Sequence, residues 1–416
     1  MNTFFPATLL SSVVMMSSCS RSAPGDHQSY RYKLPVNIAT QEVFAPSGDL
    51  NNHSYLIEKG EHEFKLARRT GDEEKLQQAE ELAKKSLTLL PKGNQHAKLL
   101  LAQVIETRHQ FAQAITLAEE ALTETPGSRK AHLILITSHL ALGNLEQAST
   151  YADQLIKDFP RVGTLSLRGL VLLSQGRDEE AVFDLKKSIE VEDLGETAES
   201  TWARCVLARH LLERDQDEDA NFLLTEALRI TPESPLALDL MAQILAQKGE
   251  YEKSHQFFDR AFATSRQLAH LRHQAELNDQ TGKRTLALDQ WGQVEKLIRE
   301  ELAEKRFDHR IDLAKVLLMR KAGGDLREAV SLILQELELR QNSETYYLLA
   351  RGYFDLGFNQ QALTSMLAFH RKGPRSGRAY LLTAEIYQKD GNKKRAEVYS
   401  NLARSLESDV NRINFL

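Results

Sequence analysis

From about Ser54 onward, apolar residues recur at the three- and four-residue spacing of an amphipathic helix. Two such stripes follow each other late in the chain: Tyr346, Leu349, Ala350 and Tyr353, then Ala362, Met366 and Phe369. The pattern predicts two helices, A and B, joined by a short turn. One such pair cannot bury the apolar face of both helices, so neighbouring pairs are expected to stack.

The helix pair recurs at a nearly constant period. A small residue stands inside helix B of each unit: Ala79, Ala114, Ala148, Ala181, Ala220, Ser254, Ala287, Ala329, Ala362 and Ala396. The gaps between these markers are 35, 34, 33, 39, 34, 33, 42, 33 and 34 residues. The two long gaps contain charged stretches, Glu192 to Ser200 and Arg299 to Asp308. The markers therefore predict ten units with two insertions.

Two further marks keep the same phase. Most units carry a small residue in helix A, twelve residues before the marker: Ala102, Gly169, Ala208, Ala242, Ala275, Ala350 and Ala384. Most also carry a turn glycine five residues before it: Gly143, Gly176, Gly249, Gly282, Gly324, Gly357 and Gly391. Small residues let the two helices cross closely, and glycine adopts a left-handed turn without steric cost. His109 and Asp215 stand where the second and fifth units lack this glycine.

With this period and these marks, the chain resembles the tetratricopeptide repeat family over about 85% of its length. The resemblance implies an all-α fold, a right-handed α-solenoid of about ten helix-turn-helix repeats. It also implies a concave groove that holds segments of other proteins. We assign the solenoid to residues 54–408 and a C-terminal tail to residues 409–416.

In this family, fixed positions of helix A line the groove. Here they correspond to Leu99, Leu133, Leu140, Leu170, Leu173, Trp202, Leu212, Asp239, Arg272, Tyr347, Arg351 and Arg378. The surface is apolar in the middle units and polar further on, which suits an extended or helical partner segment. Two interpretations stay open for each leucine and for Trp202: it contacts a partner, or it packs within its own unit.

The N-terminal stretch predicts a targeting signal. Phe4 to Met16 is apolar but too short to span a bilayer, as in a secretory signal peptide, which we assign to residues 1–18. Met16-Ser17-Ser18-Cys19 resembles a bacterial lipobox, which implies lipidation of Cys19, although no Lys or Arg precedes Arg21. A differently cleaved signal and a cytosolic chain remain alternatives. Residues 19–53 predict a flexible tether, with Tyr30 to Phe44 against the first repeat.

Missing motifs argue against catalysis, and the charge argues against nucleic-acid binding. The sequence has no Gly-x-Ser-x-Gly, no His-Glu-x-x-His and no Gly-x-Gly-x-x-Gly. The chain of 416 residues has a net charge of -5, which gives no basic face for nucleic acid. Its two cysteines build no disulfide framework or cysteine-rich metal site, and Cys205 is expected to be a small buried apolar residue. His270 and His273 share a helix face and permit a metal pair, but two ordinary polar helix residues explain them as well. We expect no cofactor, no metal and no catalytic residue.

We therefore expect a non-catalytic scaffold for protein–protein interaction. The lipobox resemblance implies a membrane-anchored protein of the cell envelope, on the periplasmic side of the outer membrane in a diderm organism. Repeat lipoproteins of this appearance recruit or brace components of secretion, pilus-assembly or exopolysaccharide-export machines. The alternative is a soluble adaptor that regulates a cytoplasmic enzyme by binding it. A homo-oligomer is compatible with both.

Overall fold

The computed structural model describes residues 27–34, 48–304, 309–406, 412, 413 and 415. Within these ranges the secondary structure is helical, with no strand. A short 3₁₀ helix, His27–Tyr30, precedes the α-helices. The α-helices are α1 His53–Thr70, α2 Glu73–Leu89, α3 Gln95–Thr107, α4 Phe111–Glu124, α5 Arg129–Leu142, α6 Leu145–Asp158, α7 Val162–Ser174, α8 Asp178–Glu190, α9 Thr197–Leu212, α10 Asp217–Ile230, α11 Pro235–Gln247, α12 Tyr251–Ser265, α13 Leu268–Gln280, α14 Arg284–Ala303, α15 Arg310–Arg320, α16 Asp325–Leu337, α17 Ser343–Asp355, α18 Asn359–Lys372, α19 Gly377–Lys389 and α20 Lys393–Ser405.

The helices pair as the repeat predicts. Each odd-numbered helix packs on the even-numbered helix that follows it, which gives ten repeats; this is its most extensive contact in every pair except that of α5, which packs slightly more on α4. Every helix-B marker is buried, and none is more than 5% exposed. The close crossing of A and B excludes larger side chains at these positions. The predicted all-α solenoid of ten helix pairs is confirmed.

Side chains at the helix starts and glycines in the turns set the boundaries. Asn52, Asp72, Ser128 and Ser376, for example, each accept a hydrogen bond from an amide in the first turn of the following helix. Six of the seven predicted turn glycines have positive φ angles, between 74° and 84°. The exception is Gly324, whose φ of -86° is ordinary. His109 and Asp215 adopt the same left-handed conformation, with φ angles of 62° and 55°.

The two insertions differ in structure. In the first, residues 191–196 connect α8 to α9, and Glu192 forms an ion pair with the fully buried Arg204. In the second, α14 is 20 residues long, so part of the predicted insertion lengthens helix B of the seventh repeat. Residues 305–308 of this insertion lie outside the described ranges.

The solenoid closes on itself with a register of five repeats. The turn of the first repeat meets the end of the sixth: a Cβ on Gly71 would lie 2.7 Å from the carbonyl oxygen of Ser265. The turn of the second meets the segment after the seventh, where the rings of His109 and His309 lie 5.6 Å apart. The turn of each of these repeats therefore contacts the chain at the end of the repeat five positions later, one superhelical turn further along the solenoid.

The same register continues through the third and fourth repeats. The amide of Gln341, after the eighth repeat, donates to the carbonyl of Leu142 at 3.2 Å. The Asn342 side chain donates to the carbonyl of Ala141 at 2.8 Å. In the fourth repeat, the backbone of Gly176 contacts that of Gly373, after the ninth. Backbone approaches this close leave no room for a side chain between the turns.

The N-terminal segment lies on the fifth repeat. Arg204 of α9 donates from Nε and Nη2 to the carbonyl of Tyr30 at 3.0 and 2.8 Å. The amide of Tyr32 donates to Glu226 of α10 at 3.2 Å. The His27 ring stacks on Phe222 at 4.6 Å. The predicted position of Tyr30 to Phe44 against the first repeat is wrong for its described part, residues 30–34, and residues 27–34 do not form a free tether. Residues 35–47 and Cys19 lie outside the described ranges.

Candidate protein-binding cleft inside the superhelix

Closure of the solenoid encloses two adjoining cavities of about 440 and 630 Å³. We call the two together the central cleft. Helices A of the fourth, fifth, eighth, ninth and tenth repeats contribute to the smaller cavity, and those of the fifth, sixth, seventh and tenth contribute to the larger one. Arg209, Glu213, Ser376, Arg378 and Phe415 line both cavities. The inner helices of repeats far apart in sequence thus share one concave surface.

Six of the predicted groove residues lie in the cleft. Leu170, Leu173 and Tyr347 line the smaller cavity. Leu212 and Asp239 line the larger cavity, and Arg378 lines both. The predicted change from apolar to polar surface is also present in this set, since the leucines belong to the fourth and fifth repeats and the charged residues to later ones.

Four other predicted groove residues are partly buried away from these cavities. Leu133 and Leu140 pack against the apolar core around Ile136 and Val171. Trp202 packs against that core and against the core of the fifth repeat, so it joins neighbouring repeats. Arg351 pairs with Asp355 one helical turn later, at 3.1 Å.

Two predicted groove residues are wrong. Leu99 is 2% exposed and belongs to the core of the first three repeats. Arg272 is 3% exposed and forms an ion pair with Glu276, which is fully buried. Counting from the small residue of helix A assumes ideal repeat geometry. Leu99 instead faces the neighbouring helices, and the Arg272–Glu276 pair satisfies its own charges internally.

Ion pairs border the smaller cavity. Asp178 pairs with Arg214 at 2.7 Å, and Lys315 pairs with Glu344 at 2.5 Å. The positive charge of Lys315 keeps the pKa of the Glu344 carboxyl below its ordinary value. Burial, and then the nearby charge of Arg214, lowers the pKa of His210. The wall of this cavity therefore presents a neutral imidazole beside apolar side chains and paired charges.

A buried carboxylate organises the wall of the larger cavity. Oδ1 of Asp239 lies 2.8 Å from Nδ1 of His270 and 2.8 Å from Nδ1 of His273, and Oδ2 accepts from Gln243 at 2.8 Å. Burial alone would raise the pKa of Asp239, but the charges and hydrogen bonds of His273 and His270 outweigh it and hold the pKa well below its usual range. The two histidines are thus fixed by hydrogen bonds to one carboxylate.

Arg412, Ile413 and Phe415, which follow α20, also contribute to the cleft. Arg412 pairs with Asp215 and Asp217, Ile413 bonds to Gln247, and Phe415 contacts His273. Sequence reasoning missed Gln247 because a glutamine at the end of a helix has no distinctive spacing. The basic residue followed by apolar ones at 412–415 was the available signal, but only the fold shows which repeats it meets.

No cluster of three or more potential metal ligands occurs among the residues that the structure describes. Cys205 is fully buried, and burial raises the pKa of its thiol to about 12, which confirms a buried apolar role. In the same ranges, no helix is both long and apolar enough to cross a bilayer.

Comparison with known proteins identifies repeats in the chain. Residues 107–164 and 347–407 match two family models, each described as tetratricopeptide repeat. The chain therefore contains tetratricopeptide repeats. No curated protein matches it.

Solved structures with a similar course of the chain include the human IFIT1 dimer with PPP-AAAA. It is 13% identical, with 87% of this chain and 91% of the other covered and a TM-score of 0.47. The APC/C hetero-tetramer Cut9-Hcn1 is 11% identical, with 86% and 74% covered and a TM-score of 0.46. Neither likeness bears on what this chain binds.

Proposed function

We propose that the protein is a non-catalytic scaffold that holds a segment of a partner protein in the central cleft. The observation that supports this proposal is the central cleft. It is built from the inner helices of tetratricopeptide repeats and lined by leucines beside paired charges. An apolar, concave surface with a few oriented polar groups suits an extended or helical peptide. Such a surface binds by shape and desolvation and needs no reacting group.

We further propose that the scaffold is anchored in the cell envelope through a lipid on Cys19 and recruits or braces components of an assembly or export machine. Residues 27–34, which lie on the fifth repeat, limit how far that repeat could be from the anchor. Seven residues separate Cys19 from His27, which lies on α10. A chain of that length spans at most about 30 Å when fully extended. The fifth repeat would therefore face the membrane, and the cleft would open beside it.

Site-specific photo-crosslinking in the native cell tests the cleft. A crosslinking amino acid replaces Leu173, which lines the smaller cavity, and in a matched variant it replaces Phe183, an outward residue that is 68% exposed. The proposal expects a protein adduct from position 173 and none of the same mass from position 183. Adducts from position 183 alone would contradict it.

Fractionation of wild type and a Cys19→Ala variant tests the anchor. The proposal expects wild type in the membrane fraction and the variant in the soluble fraction. If both are soluble, the envelope role is wrong, and the soluble adaptor that regulates a cytoplasmic enzyme takes its place.

A further inference from the structure

Arg412, Ile413 and Phe415 line the larger cavity, and the inner helices hold them there in the manner of a bound peptide. They lie about 165 to 200 residues in sequence from most of their partners on the fifth and sixth repeats. Each of the three is held by a different kind of contact, through a charge, a main-chain amide or an aromatic ring.

The first contact is electrostatic. The guanidinium of Arg412 donates from Nη1 to Asp215 at 2.5 Å and from Nη2 to Asp217 at 2.7 Å. Asp215 lies in the turn between α9 and α10, Asp217 is the first residue of α10, and the Arg412 side chain is 17% exposed. A guanidinium that bridges two carboxylates with little solvent around it makes strong, directional hydrogen bonds. The turn of the fifth repeat is thus an acidic subsite.

The second contact is a pair of hydrogen bonds to the peptide backbone. The side-chain amide of Gln247 accepts from the amide of Ile413 at 3.0 Å and donates to its carbonyl at 2.7 Å. One glutamine therefore satisfies both main-chain groups of one residue, as an adjacent β-strand would. The Ile413 side chain packs against the core around Phe258. Such a contact recognises an extended chain with an aliphatic side chain at this position.

The third contact is an aromatic subsite. Phe415 is 8% exposed, and its ring lies 5.7 Å from that of Phe258 and 5.3 Å from that of His273. Asp239 holds His273 in place, and Nη1 of Arg378 donates to the carbonyl of Phe415 at 2.7 Å. Edge and tilted ring contacts of this kind are favourable beyond the area they bury.

We propose that the larger cavity is a recognition site for an extended peptide with a basic residue, then an aliphatic residue, then an aromatic residue two positions later. Arg412, Ile413 and Phe415 of the chain itself take this site in cis. The proposal rests on the proposed function, since the partner segment is held in the same cleft. A partner with this pattern binds by displacing these three residues, so its apparent affinity is its intrinsic affinity multiplied by the fraction of molecules whose site is free.

Fluorescence anisotropy with a labelled synthetic peptide of residues 409–416 tests the proposal on the full-length chain. An opened variant, Arg412→Glu with Phe415→Ala, loses two of the three contacts in cis. The peptide is expected to bind the opened variant at least about tenfold more tightly than wild type, because the competing segment has been released. A peptide with the same two changes is expected not to bind.

Substitutions in the opened background identify the site. Gln247→Leu removes the backbone contact and is expected to weaken peptide binding at least tenfold. Gln147→Leu is the matched control, because Gln147 is an exposed residue on α6, and it should leave binding unchanged. Circular dichroism verifies that all variants keep wild-type helicity. Equal binding to wild type and the opened variant, or no effect of Gln247→Leu, would overturn the proposal.

Two further outcomes separate this proposal from others. If the peptide fails to bind the opened variant while a partner still crosslinks from position 173, the peptide specificity is wrong and the scaffold function stands. If wild type is a dimer in solution and the opened variant a monomer, Arg412, Ile413 and Phe415 bind the site of a second copy, and the cis arrangement is wrong.

Discussion

Two sets of turns in this solenoid carry the same residue and the same conformation but have different surroundings. Gly143 and Gly176, in the third and fourth repeats, have φ angles of 81° and 74°. Gly249 and Gly282, in the sixth and seventh, have φ angles of 76° and 84°. A Cβ on either of the first pair would collide with backbone of a later repeat, whereas a Cβ on either of the second would meet nothing within 4 Å.

This difference separates two roles of one glycine. In all four turns the glycine allows helix A to reverse into helix B. In the third and fourth repeats it also allows one superhelical turn to pack on the next, five repeats further on. The early turns therefore close the cleft, while the later ones only connect helices.

The largest effect is expected from disrupting a repeat itself. Ala362 is fully buried where α18 crosses α17. Ala362→Arg would bury an unpaired charge and overpack the crossing, which costs about 3–5 kcal/mol. Thermal melting followed by circular dichroism measures this loss, with Ala112→Arg at an exposed position of α4 as the control. If Ala362→Arg and wild type had equal melting temperatures, the assigned crossing of α17 and α18 would be wrong.

The glycine comparison is tested directly by one substitution in each set. Gly282→Ala places a methyl group in open space. Its only cost is the strain of a positive φ, which lowers the free energy of unfolding by about 1 kcal/mol. Gly176→Ala has the same strain and also clashes with the backbone of Gly373, so we expect about 2–4 kcal/mol. Urea denaturation of both variants measures the difference. Similar losses would mean that the two superhelical turns are not in contact.

A polar contact between the turns allows a smaller, more selective test. The Asn342 side chain accepts from the amide of Thr345 at the start of α17 and donates to the carbonyl of Ala141. Asn342→Asp keeps the acceptor but replaces the donor, so it places a carboxylate against a carbonyl and costs about 1–2 kcal/mol.

The matched control is Asn392→Asp in the tenth repeat. Asn392 caps α20 by accepting from the amide of Arg395, and an aspartate does so equally well at a helix N-terminus. Its stability is expected to stay within about 0.5 kcal/mol of wild type. Equal losses in the two variants would assign the effect to capping and not to the contact between turns.

The smallest expected effect is a pH dependence of stability that arises from His370, near the end of α18 in the ninth repeat. His370 lies between the rings of Tyr380 and Tyr399, and burial lowers the pKa of its imidazole from 6.5 to about 4. Between these two pH values the unfolded chain binds more protons, so this contribution to stability is present above pH 6.5 and is lost as the pH falls to about 4. Melting temperatures across this range should fall more steeply for wild type than for His370→Gln. The exposed His96→Gln should follow wild type.

The repeat period was sufficient to predict the local fold. Burial of the ten markers and the left-handed conformation of six turn glycines depend on contacts within one helix pair, and one pair repeats every 34 residues or so. Contacts between residues five repeats apart leave no such period. The sequence therefore did not predict that Gly143 meets Gln341 or that Tyr30 lies on Arg204.

The cleft residues also divide into those that the repeat pattern predicts and those that depend on contacts between repeats. Leu170, Leu173 and Tyr347 follow from helix periodicity and repeat position. Leu99 and Arg272 do not, because their environment depends on how neighbouring repeats rotate against each other. Gln247 and Phe415 become neighbours in the cleft only when the solenoid has closed.

One backbone amide reports on closure of the superhelix. The amide of Gln341 donates to the carbonyl of Leu142 in the third repeat. Hydrogen exchange of the full-length protein, measured by mass spectrometry at single-residue resolution, should find this amide protected in wild type and in Gly282→Ala. In Gly143→Ala, whose new methyl group collides with Gln341, the protection should be lost. Exchange of the Gln341 amide at the rate of an unstructured peptide in wild type would contradict the closed superhelix.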